Sequence, residues 1–172
     1  MSAPTSSATI EFPAAMIDEE VRKHLENEQG IRFKPRMFGP GPLEIDGSDR
    51  DGDVEIEKGI FHFHDSEARY GEFYDLEELL VRKGIPFERT SSMDWNRPPE
   101  LRVYRPGEPT FDHYFPLDHE AYEPVVSVMK LRELLALDDA GEESASAIRR
   151  YLDEDFPAYP PLTDWVKEEN KP

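Results

Sequence analysis

A chain of 172 residues with 38 acidic and 20 basic side chains carries a formal net charge of -18, far beyond the magnitude of about 2–8 that keeps a small domain soluble. Such an anion repels nucleic acid and anionic membranes, which excludes both as direct ligands and leaves positively charged proteins as its partners. The absence of cysteine removes disulfides, thiolate metal sites and thiol nucleophiles, while 11% aromatic residues still supply rings for a packed core.

The acidic excess is spread along the chain and not gathered in a tail, so the folded body itself is anionic. No basic region followed by an apolar stretch marks a secretory signal, and no apolar run approaches the ~18 residues needed to span a bilayer, which predicts a cytoplasmic protein. Residues 1–8 read as a flexible leader, residues 9–155 as one α+β domain, and residues 156–172 as an extended C-terminal segment rich in aromatic residues and proline.

In chain order, residues 9–12 alternate as a strand does, and Ile17, Val21 and Leu25 recur at helical spacing up to Gly30. Residues 31–34 alternate again, whereas residues 38–42 and 46–52 read as loops by their Gly, Pro and Asp content. Residues 53–57 and 60–64 flank Lys58-Gly59, a two-residue hairpin turn. The register this turn dictates puts Val54, Ile56, Phe61 and Phe63 on one face and Asp53, Glu55, His62 and His64 on the other. A second helix runs to Gly84, with Asp75 and Glu78 as a capping pair, Leu76, Leu79 and Leu80 as its apolar stripe, and Arg82 and Lys83 in the last turn.

Residues 87–89 and 101–104 follow as strands, separated by a loop carrying Trp95, and residues 111–122 read as an aromatic loop. Helices are predicted at 128–137 and 142–152. The first ninety residues thus spell a βαββαβ order with an extra strand, which predicts a ferredoxin-like sandwich with a C-terminal helical extension.

Motifs for chemistry are scarce. Aligning Gly52 with the invariant glycine of an EF-hand loop puts Lys58 where a bidentate Glu is required, which rejects that reading. There is no nucleophile elbow, phosphate-cradling loop or dinucleotide fingerprint, so no catalytic residue and no cofactor is assigned. Asp53, Glu55, His62 and His64 are the weak metal candidates, because cross-strand neighbours lie only about 4.5–5.5 Å apart; His113 and His119 are two further imidazoles offered to complete such a site.

Carboxylates are the stronger pattern. Asp51, Asp53, Glu55 and Glu57 recur on one strand face at about 6.6 Å intervals, against about 3.4 Å per charge along one strand of B-DNA. With Glu142, Glu143, Asp153, Glu154 and Asp155 from the helices, they are the expected partner-binding residues.

The segments GEFYDLEELL at 71–80, GIPFER at 84–89 and RVYRPG at 102–107 resemble small uncharacterised proteins of phages and plasmids. That resemblance implies an inhibitor of host defence nucleases. The leading expectation is a non-enzymatic acidic protein that inhibits a basic, nucleic-acid-handling protein by imitating nucleic acid. The alternatives are a small metal-dependent enzyme on the hairpin face, a regulatory module docking through its C-terminal segment, and a solvated acidic surface, either generic or halophilic.

Overall fold

The alternation read from Thr9 begins earlier in the computed structural model, where Thr5–Pro13 forms β1. The structure describes residues 5–34, 43–49, 52–92, 97–118, 120–121, 123–136 and 144–166. β1 takes in Thr5 to Ala8, pairing Thr5 with Arg69 and Ala8 with Asp65, so the chain enters the sheet inside the expected leader. Residues 1–4 lie outside the described residues, as do the expected loop at 38–42, Trp95 and His119.

Helix α1 (Glu19–Glu28) begins where Asp18 accepts hydrogen bonds from the backbone N–H groups of Glu20 and Val21 at 3.1 and 3.0 Å, satisfying donors that a helix start leaves orphaned. It buries Val21 and Leu25 completely. β2 (Ile31–Phe33) then pairs with β3 (Ile45–Ser48) in a separate two-stranded sheet. That corrects the loop expected at 46–52: its first residues continue a strand from Ile45, which packs against the core, and Asp49 closes an ion pair with Arg32. Turn-forming residue types misled the reading because side-chain packing and a charge pair compensate for them.

β4 (Val54–Glu57) and β5 (Ile60–Arg69) form the hairpin. Helix α2 (Tyr74–Lys83) follows, then β6 (Phe87–Ser91), β7 (Glu100–Arg105) and β8 (Phe111–Pro116). The capping pair Asp75/Glu78 does not form. Phe73 is the N-cap without a side-chain bond, and Glu77 reaches back one turn to accept from the Phe73 N–H at 2.9 Å. β8 also corrects the aromatic loop expected at 111–122: Phe111, His113 and Phe115 share one face and Asp112 and Tyr114 the other, a period-two pattern that an apolar-only reading hides. Helices α3 (Val128–Ala136) and α4 (Ser144–Asp155) and a short 3-10 turn at Leu162–Trp165 complete the described chain.

The molecule is α+β, with a six-stranded antiparallel sheet in the order β4-β5-β1-β6-β7-β8. One face packs Ile10, Phe12, Phe61, Phe63 and Phe87 against Val21 and Leu25 of α1 and Leu76 and Leu80 of α2. The opposite face has two parts. Towards β7 and β8 it buries Val103 and Phe115 under the C-terminal segment, where Phe115 meets the rings of Phe156 and Tyr159. Towards β4, β5 and β1 it is polar. Among the described residues no helix is long and apolar enough to cross a membrane.

Candidate functional site

The polar half of the sheet is built by the hairpin. Lys58 and Gly59 both hold positive φ, 49° and 81°, the turn geometry whose twist matches paired strands. The register follows as expected: Val54 opposite Phe63, Glu55 opposite His62, Ile56 opposite Phe61. The His64 N–H donates to the Asp53 carbonyl at 2.9 Å and extends the ladder by one residue. At Gly52 a Cβ would stand 2.3 Å from the His64 carbonyl oxygen, so this close approach admits only glycine.

Asp53, Glu55 and Glu57 are accordingly exposed and alternate with half-buried Val54 and Ile56. The Lys58 ammonium, 3.0 Å from Glu57, holds that carboxyl below its ordinary value, with His62 contributing. Because β1 pairs Glu11 with His62 and β6 pairs Glu88 with Glu11, a transverse row crosses four strands: Glu55, His62, Glu11, Glu88. His62 stands in it between two carboxylates and is bonded through Nδ1 to Glu11 Oε1 at 2.8 Å. In the next row His64 faces Thr9 and lines a groove of about 330 Å³ with Glu11, Thr90 and Ser92.

Glu11 was not anticipated, because only the pairing of β1 with β5 brings it to the hairpin. Asp51, Glu142 and Glu143 lie outside the described residues. Asp153, Glu154 and Asp155 form the exposed last turn of α4, and the Asp155 carbonyl accepts from His113 Nε2 at 2.9 Å on β8. That anchors them to the far edge of the sheet, five strand spacings or about 24 Å from β4. The structure thus separates the expected acidic residues into two groups. Among the described residues no three His, Asp or Glu side chains are arranged to hold a metal ion. The imidazole of His62 bonds to Glu11, on the neighbouring strand, and not within the set Asp53, Glu55, His62 and His64.

No family model matches this chain, and neither a curated protein nor a solved structure does.

The helix-covered face conceals charges that sequence reasoning missed. Arg89 is 1% exposed on β6 and lies between Glu100 (2.8 Å) and Glu77 (3.3 Å). Glu77 also accepts from Arg102 at 2.7 Å, and Arg102 grips Asp112 through two bonds of 3.0 and 2.8 Å. Burial opposes the Arg102 charge, but hydrogen bonds to Asp112 and Glu77 outweigh it and raise its affinity for its proton. Its guanidinium further lies between the rings of Phe87 and Tyr114. The signal available was Arg89 itself, a charge at the inward position of the alternating strand that Phe87 begins.

Arg105, 2% exposed, does similar work on the other face. It donates to the carbonyls of Phe87 and Tyr104 at 3.0 Å each and of Pro160 at 2.7 Å, and pairs with Glu88. The rings of Tyr159 and Trp165 lie over its guanidinium. Basic groups are drawn inward in this way while the hairpin carboxylates remain outward.

Proposed function

We propose that this chain is a non-enzymatic acidic binding protein that captures and inhibits a basic, nucleic-acid-handling protein. The observation that carries the reading is the exposed row Asp53, Glu55 and Glu57 at the sheet edge, on a molecule whose Arg89, Arg102 and Arg105 are turned into internal ion pairs. Carboxylates fixed on a strand keep their spacing, so a basic groove meets them with little ordering cost, and opposite fields accelerate the encounter. The row of carboxylates is suited to receive Lys and Arg side chains, not the phosphates of a nucleotide.

The strand order β4-β5-β1-β6, with α1 after β1 and α2 after β5, supports a ferredoxin-like core. On that reading β2 and β3 are an insertion, and β7 and β8 extend the sheet. The charge balance supports a cytoplasmic inhibitor of a defence nuclease or a related immunity role.

The test has two steps. The chain is immobilised, partners are captured from its host's extract at low salt and eluted with salt, and the partner is purified. Its nucleic-acid binding or cleavage is then measured with increasing amounts of the chain. Stoichiometric loss of that activity is expected; a partner that keeps full activity in excess chain contradicts the proposal.

A further inference from the structure

A concavity of about 650 Å³ opens between the end of α1, the end of β5 and the first turn of α2, within the range of about 300–1,000 Å³ typical of ligand sites. Its walls carry Glu28, Glu67, Glu72 and Asp75 against one basic side chain, Arg69, with the rings of Tyr70 and Tyr74. In so acidic a chain the carboxylates alone say nothing. The rings do: they stand 36% and 66% exposed at the cleft, and one of them already binds guanidinium groups of this same chain.

Arg97 lays its guanidinium 5.5 Å from the centre of the Tyr70 ring while donating to Glu72 at 3.0 Å. Arg69 approaches the same ring at 5.5 Å. A ring face attracts a cation through its quadrupole, and a carboxylate beside the ring accepts the guanidinium's hydrogen bonds. Tyr74 offers the same pair of groups, an exposed ring next to Asp75 in a cleft shared with Glu28 and Glu67. Among the described residues no guanidinium lies over it.

We propose that this cleft receives an arginine side chain of the partner protein, stacked on Tyr74 and hydrogen-bonded to the neighbouring carboxylates. The inference rests on the basic-partner reading above and adds an anchor at the end of β5 away from the hairpin turn. Buried aromatic and arginine contacts of this kind dominate interface energetics, whereas rim charges mainly set the encounter rate.

The probe is a blocked peptide containing one arginine, compared with its citrulline twin, which keeps the shape and loses the charge. Binding is followed by the backbone amide resonances of residues 67–75, which every variant keeps, and in the wild type also by the Tyr74 ring. The arginine peptide is expected to shift them, with the citrulline peptide about ten-fold weaker. Tyr74→Leu, at an exposed position, weakens the arginine peptide about three-fold, and Asp75→Asn with Glu28→Gln about ten-fold. The triple change Asp53→Lys, Glu55→Lys, Glu57→Lys leaves it within about two-fold. Should the carboxamide pair unfold the start of α2, the Tyr74→Leu result decides alone.

Wild-type affinity in Tyr74→Leu, equal binding of citrulline, or no binding to the wild type overturns the assignment. Tighter binding of free arginine than of the blocked peptide assigns a small-molecule site and overturns it too. Peptide binding lost only in the hairpin variant removes the cleft and leaves the basic-partner reading standing.

Discussion

Glu77 answers to two arginines and a helix start at once. Its carboxylate, 3% exposed, accepts from the Phe73 N–H and Arg102 and lies 3.3 Å from Arg89. An ion pair so buried adds little over an apolar substitute, but deleting Glu77 leaves the buried Arg89 with Glu100 alone and Arg102 with Asp112 alone, and orphans the Phe73 N–H. Glu77→Ala is therefore expected to lower the unfolding free energy by about 3–5 kcal/mol, whereas Glu57→Ala, at an exposed, solvent-screened pair with Lys58, leaves stability nearly unchanged. Urea denaturation of the two variants checks this, and equal small effects would contradict it.

His24 belongs to the same scale. Burial pushes its imidazole below the ordinary value of 6.5, partly offset by Glu28 and Asp75, and its Nε2 has no hydrogen-bond partner among the described residues. The unfolded chain then takes up this proton at a higher pH than the folded chain. Stability from His24 is intact above about pH 6.5 and is lost as pH falls through that value towards the lowered folded one. The Asp18 carboxyl, lowered by its bond to Lys83, acts in the opposite group class and in a separate window, losing its contribution only as pH falls below 3.8. His24→Gln should flatten the fall in unfolding free energy between about pH 7 and about pH 5; an unchanged slope would show that His24 carries none of it.

Among the elements, the segment after α4 acts as a strap. Leu162 is 6% exposed, Phe115 against the rings of Phe156 and Tyr159 is 2% exposed, and Arg105 ties Pro160 to β7. Ending the chain at Asp155 uncovers these rings and strips Arg105 of an acceptor, which is expected to cost about 3–5 kcal/mol of stability. Thermal melting measures it, and an unchanged midpoint would make the segment dispensable to the fold. Legibility at this scale follows locality. The hairpin register was readable because two residues of turn and two alternating strands agree independently on Val54, Ile56, Phe61 and Phe63. β8 was hidden because its buried face mixes His113 with Phe111 and Phe115, and β3 because Gly47 and Asp46 look like turn residues until Arg32 and Phe33 are laid beside them. The capping of α2 by Glu77 in place of Asp75 and Glu78 depended on Arg89 and Arg102, both remote in sequence. The same holds for the candidate site: its edge row lies within one hairpin, whereas Glu11 arrives from β1 and only sheet order reveals it.

At the scale of the whole molecule, a net charge of -18 acts through two features of the fold. Internal ion pairs withdraw arginines from the surface, and strand alternation fixes Asp53, Glu55 and Glu57 outward. Exposed charges interact over about 8 Å at physiological ionic strength, so association through that row must weaken as salt rises. The most direct measurement is the affinity for the captured basic partner between about 50 and about 500 mM salt, for the wild type and for Asp53→Lys, Glu55→Lys, Glu57→Lys combined. The account predicts that wild-type affinity falls at least about ten-fold over this range and that the triple variant is already at least about ten-fold weaker at low salt, with a flatter dependence. A flat salt dependence together with undiminished binding by the triple variant would contradict it.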